Sequence, residues 1–255
     1  MTSPRLGSCP PPYDPAMPAP EVRALLFDVF GTVVDWRSGV AREGAVLGER
    51  LGIRNLDWGT VADAWRRRYE PSMEEIRSGR RPFVTLDALH RENLGAVFAD
   101  MSLPALSDDD LDEFTLAWHR LDPWPDVLAG LARLRQRYIL APHSNGNVAL
   151  IVDMAKRAGL PWDLVLGAEV VRYYKPQPES YQTACEMLAL PPSQVMLVAA
   201  HHGDLKAARE STGMRTAFVP RPFEYGAERP RNAADEATHD IVALDFGDLA
   251  SQLGC

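Results

Sequence analysis

Short apolar segments with the character of buried strands recur along this chain, and beyond about residue 120 they alternate with helical stretches. Strands joined by helical crossovers run parallel, and the helices must then cover both faces of the sheet. Strands are expected at Val22–Phe27, Tyr138–Ala141, Leu164–Ala168, Gln194–Ala200, Thr216–Val219 and Asp240–Ala243. Helices are expected at Val127–Arg137, Val148–Ala158, Glu179–Leu188, Leu205–Thr212 and Phe246–Leu253. The fold class that follows is α/β, with a Rossmann-like, doubly wound parallel sheet.

Residues from about Val40 to Arg120 carry no convincing strand. Val61, Trp65, Tyr69, Met73 and Ile76 fall on a helical stripe, and Ser107 followed by Asp108, Asp109 and Asp110 supplies an N-cap and an acidic first turn. This helical insertion leaves after the first strand and returns the chain to the sheet, which places it as a cap over the strand ends, where open α/β sheets bind ligands. Seven of the 21 prolines fall within the first 20 residues, so residues 1–20 are expected to be a disordered leader. The core is then 21–38 with 121–255, and the all-helical cap domain is 39–120.

The net charge of −8 argues against nucleic-acid and membrane-surface partners, which need a basic face. Cys9, Cys185 and Cys255 form neither a disulfide framework nor a metal spacing and are expected to be free thiols in a reducing cytoplasm. No apolar run approaches the roughly 20 residues of a bilayer span. The N-terminus has no basic region leading into an apolar one, so no signal peptide is expected.

The first strand ends in a carboxylate, Asp28, within LFDVFGT. An uncompensated charge there costs several kcal/mol, so it is there for chemistry. Three more features fall at strand ends: Ser144-Asn145-Gly146 after YILAPH, Lys175-Pro176 after VVRYY, and Asp204 after VMLVAAHHG. Each alone has an ordinary explanation as a cap, a turn or a surface residue. Together and in order they do not.

FDVFGT, SNG, Lys-Pro and the His-rich turn before Asp204 resemble the haloacid dehalogenase superfamily. DVFGTVVDWRSG, Trp65-Arg66 and YYKP followed by Tyr181 are similar to its L-2-haloacid dehalogenase (type II) branch. The resemblance runs from Val22 to the C-terminus and implies that superfamily's core with a helical cap.

Most members of the superfamily are phosphatases with a second Asp two residues after the nucleophile, to protonate the leaving alkoxide. Here that position is Phe30, and a halide leaves without a proton. Those phosphatases also hold Mg²⁺ through a carboxylate where this chain has Ala200. No metal and no other cofactor is therefore expected. The resemblance implies hydrolysis of haloacetate or L-2-halopropionate to the 2-hydroxy acid, with fluoroacetate left open as a substrate. Asp28 displaces the halide from behind and forms an ester, and water then attacks the ester carbonyl.

In that scheme Lys175 holds Asp28 ionised, Asp204 orients Lys175 and helps activate the water, and Ser144 binds the substrate carboxylate with backbone amides after Asp28 and around Asn145. Arg66 matches the halide-binding arginine, ahead of Arg67 and Arg68, and Asn145 a second contributor. Phe30 supplies an apolar wall, and Val29, Thr32 and Tyr181 complete the expected substrate and halide shell. Pairing of two caps into a homodimer is left open.

The branch has a Ser-Ser-Asn-x-Trp-Asp run where this chain has Ala199-Ala200-His201-His202-Gly203-Asp204. His201 then replaces an asparagine donor, or acts as a base near neutral pH, or merely packs the strand end, while His202 points elsewhere. Glycine at 203 opens space that Trp36, Trp65, Tyr69 or Tyr174 could fill, and His143 could add a donor. The competing readings are a phosphatase or phosphonate hydrolase, disfavoured by Phe30 and Ala200, and a catalytically silent binder of small acids. Asp28, Ser144, Lys175 and Asp204 together weigh against the latter.

Overall fold

The computed structural model describes residues 21–227 and 239–255. The proline-rich leader and Cys9 lie outside the described residues. The first strand, β1 (Ala24–Phe27), is wholly buried and alternates: Leu25 and Phe27 face one side of the sheet, Ala24 and Leu26 the other. It pairs in parallel with β4 (Ile139–Pro142) on one side and β5 (Val195–Ala199) on the other. Beyond β5 lie β6 (Arg215–Phe218) and β7 (Ile241–Val242), giving the order β4-β1-β5-β6-β7 with every pairing parallel. The chain steps to one side of β1 and then to the other, so the topological switch lies at the C-terminal end of β1, where a crevice opens.

Helices α5 (Val127–Leu134), α6 (Val148–Ala158), α8 (Pro178–Leu188), α9 (His202–Thr212) and α10 (Phe246–Gln252) cover the sheet, with the short α7 (Ala168–Val171) ahead of α8. Among the described residues no helix is long and apolar enough to cross a membrane.

The insertion comprises α1 (Trp36–Leu51), α2 (Trp58–Arg77), α3 (Leu86–Asp100), α4 (Asp108–Thr115) and a 3-10 turn at Leu116–Arg120. The expected boundary after residue 38 falls inside α1. A short antiparallel ribbon of β2 (Val34–Asp35) and β3 (Asp122–Pro123) fastens the two ends of the insertion together. Val61, Trp65, Tyr69 and Met73 form the buried stripe of α2, and the Ser107 hydroxyl caps α4 by accepting from the Asp110 amide. Trp36 and Trp118 stack and Trp65 meets Trp118 edge-on, so the apolar core of the insertion is continuous with the Leu25/Phe27 side of the sheet.

One expected strand is absent. Leu164–Ala168 runs beside β4 but forms only an isolated bridge, His143 with Leu166, before α7 begins at Ala168. The reason is local. Leu140 donates its amide to the Asp163 side chain at 2.9 Å instead of to a backbone carbonyl, so the ladder is interrupted where it would start.

Candidate active site

Asp28 follows β1, its amide still bonded to the Val198 carbonyl. The chain then turns tightly: the Val33 and Val34 amides both return to the Val29 carbonyl, and Gly31 sits at φ +87°. Glycine is needed twice over. The left-handed backbone disfavours a side chain, and a Cβ would lie 2.3 Å from Oε1 of Glu224. Gly31→Ala should therefore cost about 1–3 kcal/mol of stability, read as a lower urea midpoint at unchanged slope.

Two residues expected at strand ends form the network around Asp28, though Lys175 comes from the turn between α7 and α8, because the strand expected before it is absent, and Asp204 from the first turn of α9. Nζ of Lys175 donates to Oδ1 of Asp28 at 2.8 Å and to Oδ2 of Asp204. Asp204 is in the first turn of α9 rather than at its N-cap, and its other oxygen accepts from the Tyr181 hydroxyl at 2.6 Å. Oδ1 of Asn145 takes the Lys175 backbone amide at 2.7 Å, which joins the turn after β4 to the Lys-Pro turn.

The second oxygen of Asp28 has its own partners. Oδ2 accepts from the Thr32 hydroxyl at 2.7 Å, and that hydroxyl in turn accepts from the Ala200 amide. Nδ1 of His201 lies 2.9 Å from the same Oδ2, while its Nε2 lies 3.0 Å from Oε2 of the buried Glu224. Glu224 also receives the indole N–H of Trp36 at 3.0 Å.

Burial by itself would raise the Asp28 carboxyl, but Lys175 and His201 overrule it and hold the carboxyl far below the usual range. Burial likewise opposes the charge on Lys175, and Asp204 with Asp28 reverse that, so the ammonium is held well above an ordinary lysine. Against the same opposition from burial, hydrogen bonds donated to Asp28 and Glu224 push His201 up to about 10. A base near neutral pH is thus overturned for His201. Clamped between two carboxylates, it is a cation.

A cavity of about 630 Å³ opens between sheet and insertion, lined among others by Asp28, Phe30, Arg66, Asn145, Lys175, His201, Gly203 and Asp204. From α2, Arg66 lies 4.0 Å over the Tyr69 ring and 5.5 Å from that of Trp36, and its Nη1 is buried without a hydrogen-bond partner among the described residues. Arg67 also lines the cavity, which two of the three arginines therefore reach, while Arg68 pairs with Asp100.

Several expected contributors do not line the cavity. The Ser144 hydroxyl accepts from the Gly146 amide within its own turn, Val29 packs its side chain into the core, and Thr32 and Tyr181 stand behind Asp28 and Asp204. Tyr181 is diverted because the carboxylate of Asp204 offers its hydroxyl a buried acceptor. His143 bonds Ser180 instead of the cavity, and burial first, then Lys175, lower it to about 4. Of the aromatics, Trp36 and Tyr69 face the cavity. Trp65 and Tyr174 send their polar atoms to the His90 and Val84 carbonyls instead. Among the described residues nothing fills the space beside Gly203, where an added Cβ would meet no atom within 4 Å. His202 turns away from the site and stacks on Phe218.

Glu224 and Tyr225 were not legible in the sequence. They lie in a loop after β6 with neither strand alternation nor a Gly-flanked acid to mark them.

The donor set does not suit a divalent cation. Both oxygens of Asp28 are taken by an ammonium, a hydroxyl and an imidazolium, Asp204 is taken by Lys175 and Tyr181, and Ala200 offers a methyl group where a third carboxylate would be needed. Among the described residues no group of three or more His, Cys, Asp or Glu side chains could hold a metal ion.

The arrangement resembles known proteins. A family model described as haloacid dehalogenase-like hydrolase matches residues 22–212. (S)-2-haloacid dehalogenase 1 of Pseudomonas sp. (strain CBS-3) is 29% identical over 212 residues, 80% of this chain and 88% of that protein. The solved structure of a defluorinating L-2-haloacid dehalogenase is 48% identical with a TM-score of 0.88, covering 92% of this chain and 96% of that one. That of the L-2-haloacid dehalogenase from Xanthobacter autotrophicus with chloropropionic acid covalently bound is 25% identical with a TM-score of 0.77, covering 91% and 98%.

Proposed function

Since the chain belongs to the haloacid dehalogenase-like hydrolase family, we propose that it hydrolyses short-chain 2-haloacids to 2-hydroxy acids through an ester on Asp28, without a metal. The observation that carries this reading is the pairing of a buried Asp28, its carboxyl held low by Lys175 and His201, with a cavity in which the side chain two residues after it is apolar rather than an acid that could protonate a leaving group. Phe30 stands where such an acid would be, and halide needs none.

The first step is displacement at carbon. Among the described residues Oδ2 of Asp28 carries two hydrogen bonds and Oδ1 the one from Lys175, so Oδ1 is the oxygen with electrons to give. It attacks the halogen-bearing carbon as the carbon–halogen bond breaks on the opposite side, inverting that centre. Arg66, with its unpaired Nη1 and its aromatic bed of Tyr69 and Trp36, receives the departing anion. The substrate carboxylate is held by backbone donors of the turns after Asp28 and Ser144 and by Asn145. In the second step water adds to Cγ of Asp28 beside Asp204, and Lys175 stabilises the alkoxide that forms on Oδ1 as the ester opens. The room over Gly203 supports acceptance of side chains beyond a methyl group. The free, buried thiol of Cys185 supports placing the enzyme in the cytoplasm.

Halide release from chloroacetate, L-2-chloropropionate and fluoroacetate, measured in EDTA, tests the activity. Single turnover with excess enzyme in ¹⁸O-water should leave the product hydroxyl unlabelled, because its oxygen comes from Asp28. Solvent oxygen in that first product would overturn the covalent route.

A further inference from the structure

Alkylation changes the company of His201. In the free site the imidazolium lies between two carboxylates, Asp28 through Nδ1 and Glu224 through Nε2. Once Oδ1 of Asp28 is esterified that charge is gone, and Oδ2 becomes the ester carbonyl oxygen. When water adds to Cγ, negative charge gathers on Oδ2, which already lies 2.7 Å from the Thr32 hydroxyl and 2.9 Å from Nδ1 of His201.

We propose that Glu224 is a positioning residue for ester hydrolysis: it keeps His201 protonated with Nδ1–H on Oδ2, so that His201 and Thr32 form the oxyanion hole of the second step. This rests on the covalent route above. The site is built for it. Glu224 has its side chain 1% exposed, both its oxygens lie within 3.2 Å of Nε2, and the Trp36 indole holds one of them at 3.0 Å. Gly31 leaves the space that its carboxylate fills.

The other charges around His201 explain why Glu224 is needed. Lys175, also bonded to Asp28, disfavours an imidazolium, and so does Arg66, whose charge reaches Glu224. Asp204 favours it, but is committed to Lys175 and Tyr181. With Asp28 esterified and Glu224 neutralised, the two groups that raise His201 would be gone, so it would lose its proton at a lower pH than in the free site, and with it the assured donor. The chemistry balances without further reactants. Water gives its oxygen to Cγ and a proton by way of Asp204. The Cγ–Oδ1 bond breaks with its electron pair going to Oδ1, which takes that proton as the product hydroxyl. Asp28 is regenerated with the oxygen from water, and one proton goes to solvent.

The test is Glu224→Gln with chloroacetate in rapid-quench experiments from pH 6 to 9. The expected result is a burst of one halide per site at close to the native rate. Turnover should then be slowed about 100-fold at pH 9 and far less at pH 6, with the ester mass retained on the Asp28 peptide. An unchanged pH profile without ester accumulation overturns the proposal. So does equal slowing of both steps at every pH, which is what a purely structural role would give. Should Glu224→Gln fail to fold, His201→Asn decides: ester accumulation independent of pH upholds the proposal, and hydrolysis at the native rate overturns it. Absence of any halide release by the native enzyme would instead reject the dehalogenase reading.

Discussion

Asp28→Asn is expected to release no halide above background, a loss of roughly 10⁴-fold or more, with no mass added to the protein on incubation with chloroacetate. The amide keeps the size of the side chain but not its charge. Lys175 and His201 are both arranged to make that charge available: one sits on each oxygen and together they outweigh the cost of burial. Halide electrode readings with the purified variant decide the matter. Turnover within tenfold of native would place the nucleophile elsewhere.

Lys175→Met is the second large effect. Its ammonium is the group that bonds both Asp28 and Asp204, and without it two carboxylates face one another in a buried site. Activity should fall about 10²–10⁴-fold. The pH dependence should change in sign-specific fashion. In the native enzyme the Asp28 carboxyl is depressed and the Lys175 ammonium raised, so the pair's contribution to stability is full between the ordinary carboxylate value and the ordinary lysine value. That contribution fades as pH falls from the ordinary carboxylate value through the depressed value of Asp28, or rises from the ordinary lysine value through the raised value of Lys175. In the variant Asp28 takes up a proton at higher pH, so the residual rate should rise with pH across a range where the native rate is flat. A flat profile in the variant would show that Lys175 does not set the ionisation of Asp28.

Much of this centre was legible in the sequence because chemistry at strand ends leaves a linear trace. Asp28, Asn145, Lys175 and Asp204 each follow an apolar run; the parallel sheet brings the ends of β1, β4 and β5 to one edge, and the Lys175 turn after α7 is joined to them through Asn145. The rest depended on which way side chains turn. Tyr181 and Trp65 carry the same linear signal as Tyr69, yet the first bonds Asp204, the second bonds the His90 carbonyl, and only Tyr69 reaches the cavity. Glu224 has no signal of its own. Its partners Trp36 and His201 are 188 and 23 residues away, and nothing in PRPFEYG marks an acid that will be buried. The missing strand after α6 shows the converse: an apolar run suffices to suggest a strand, but a single side chain intercepting the first amide prevents one.

That interception has a consequence at the level of the whole molecule. An outermost strand with a free row of amides invites strands of other chains to add to it. Asp163 occupies the Leu140 amide with a carboxylate, its own amide takes the Leu140 carbonyl, and Arg135 pairs with its other oxygen. Together with Pro142, which has no amide to offer, and the His143–Leu166 bridge, Asp163 leaves the β4 margin of the sheet closed to intermolecular strand addition.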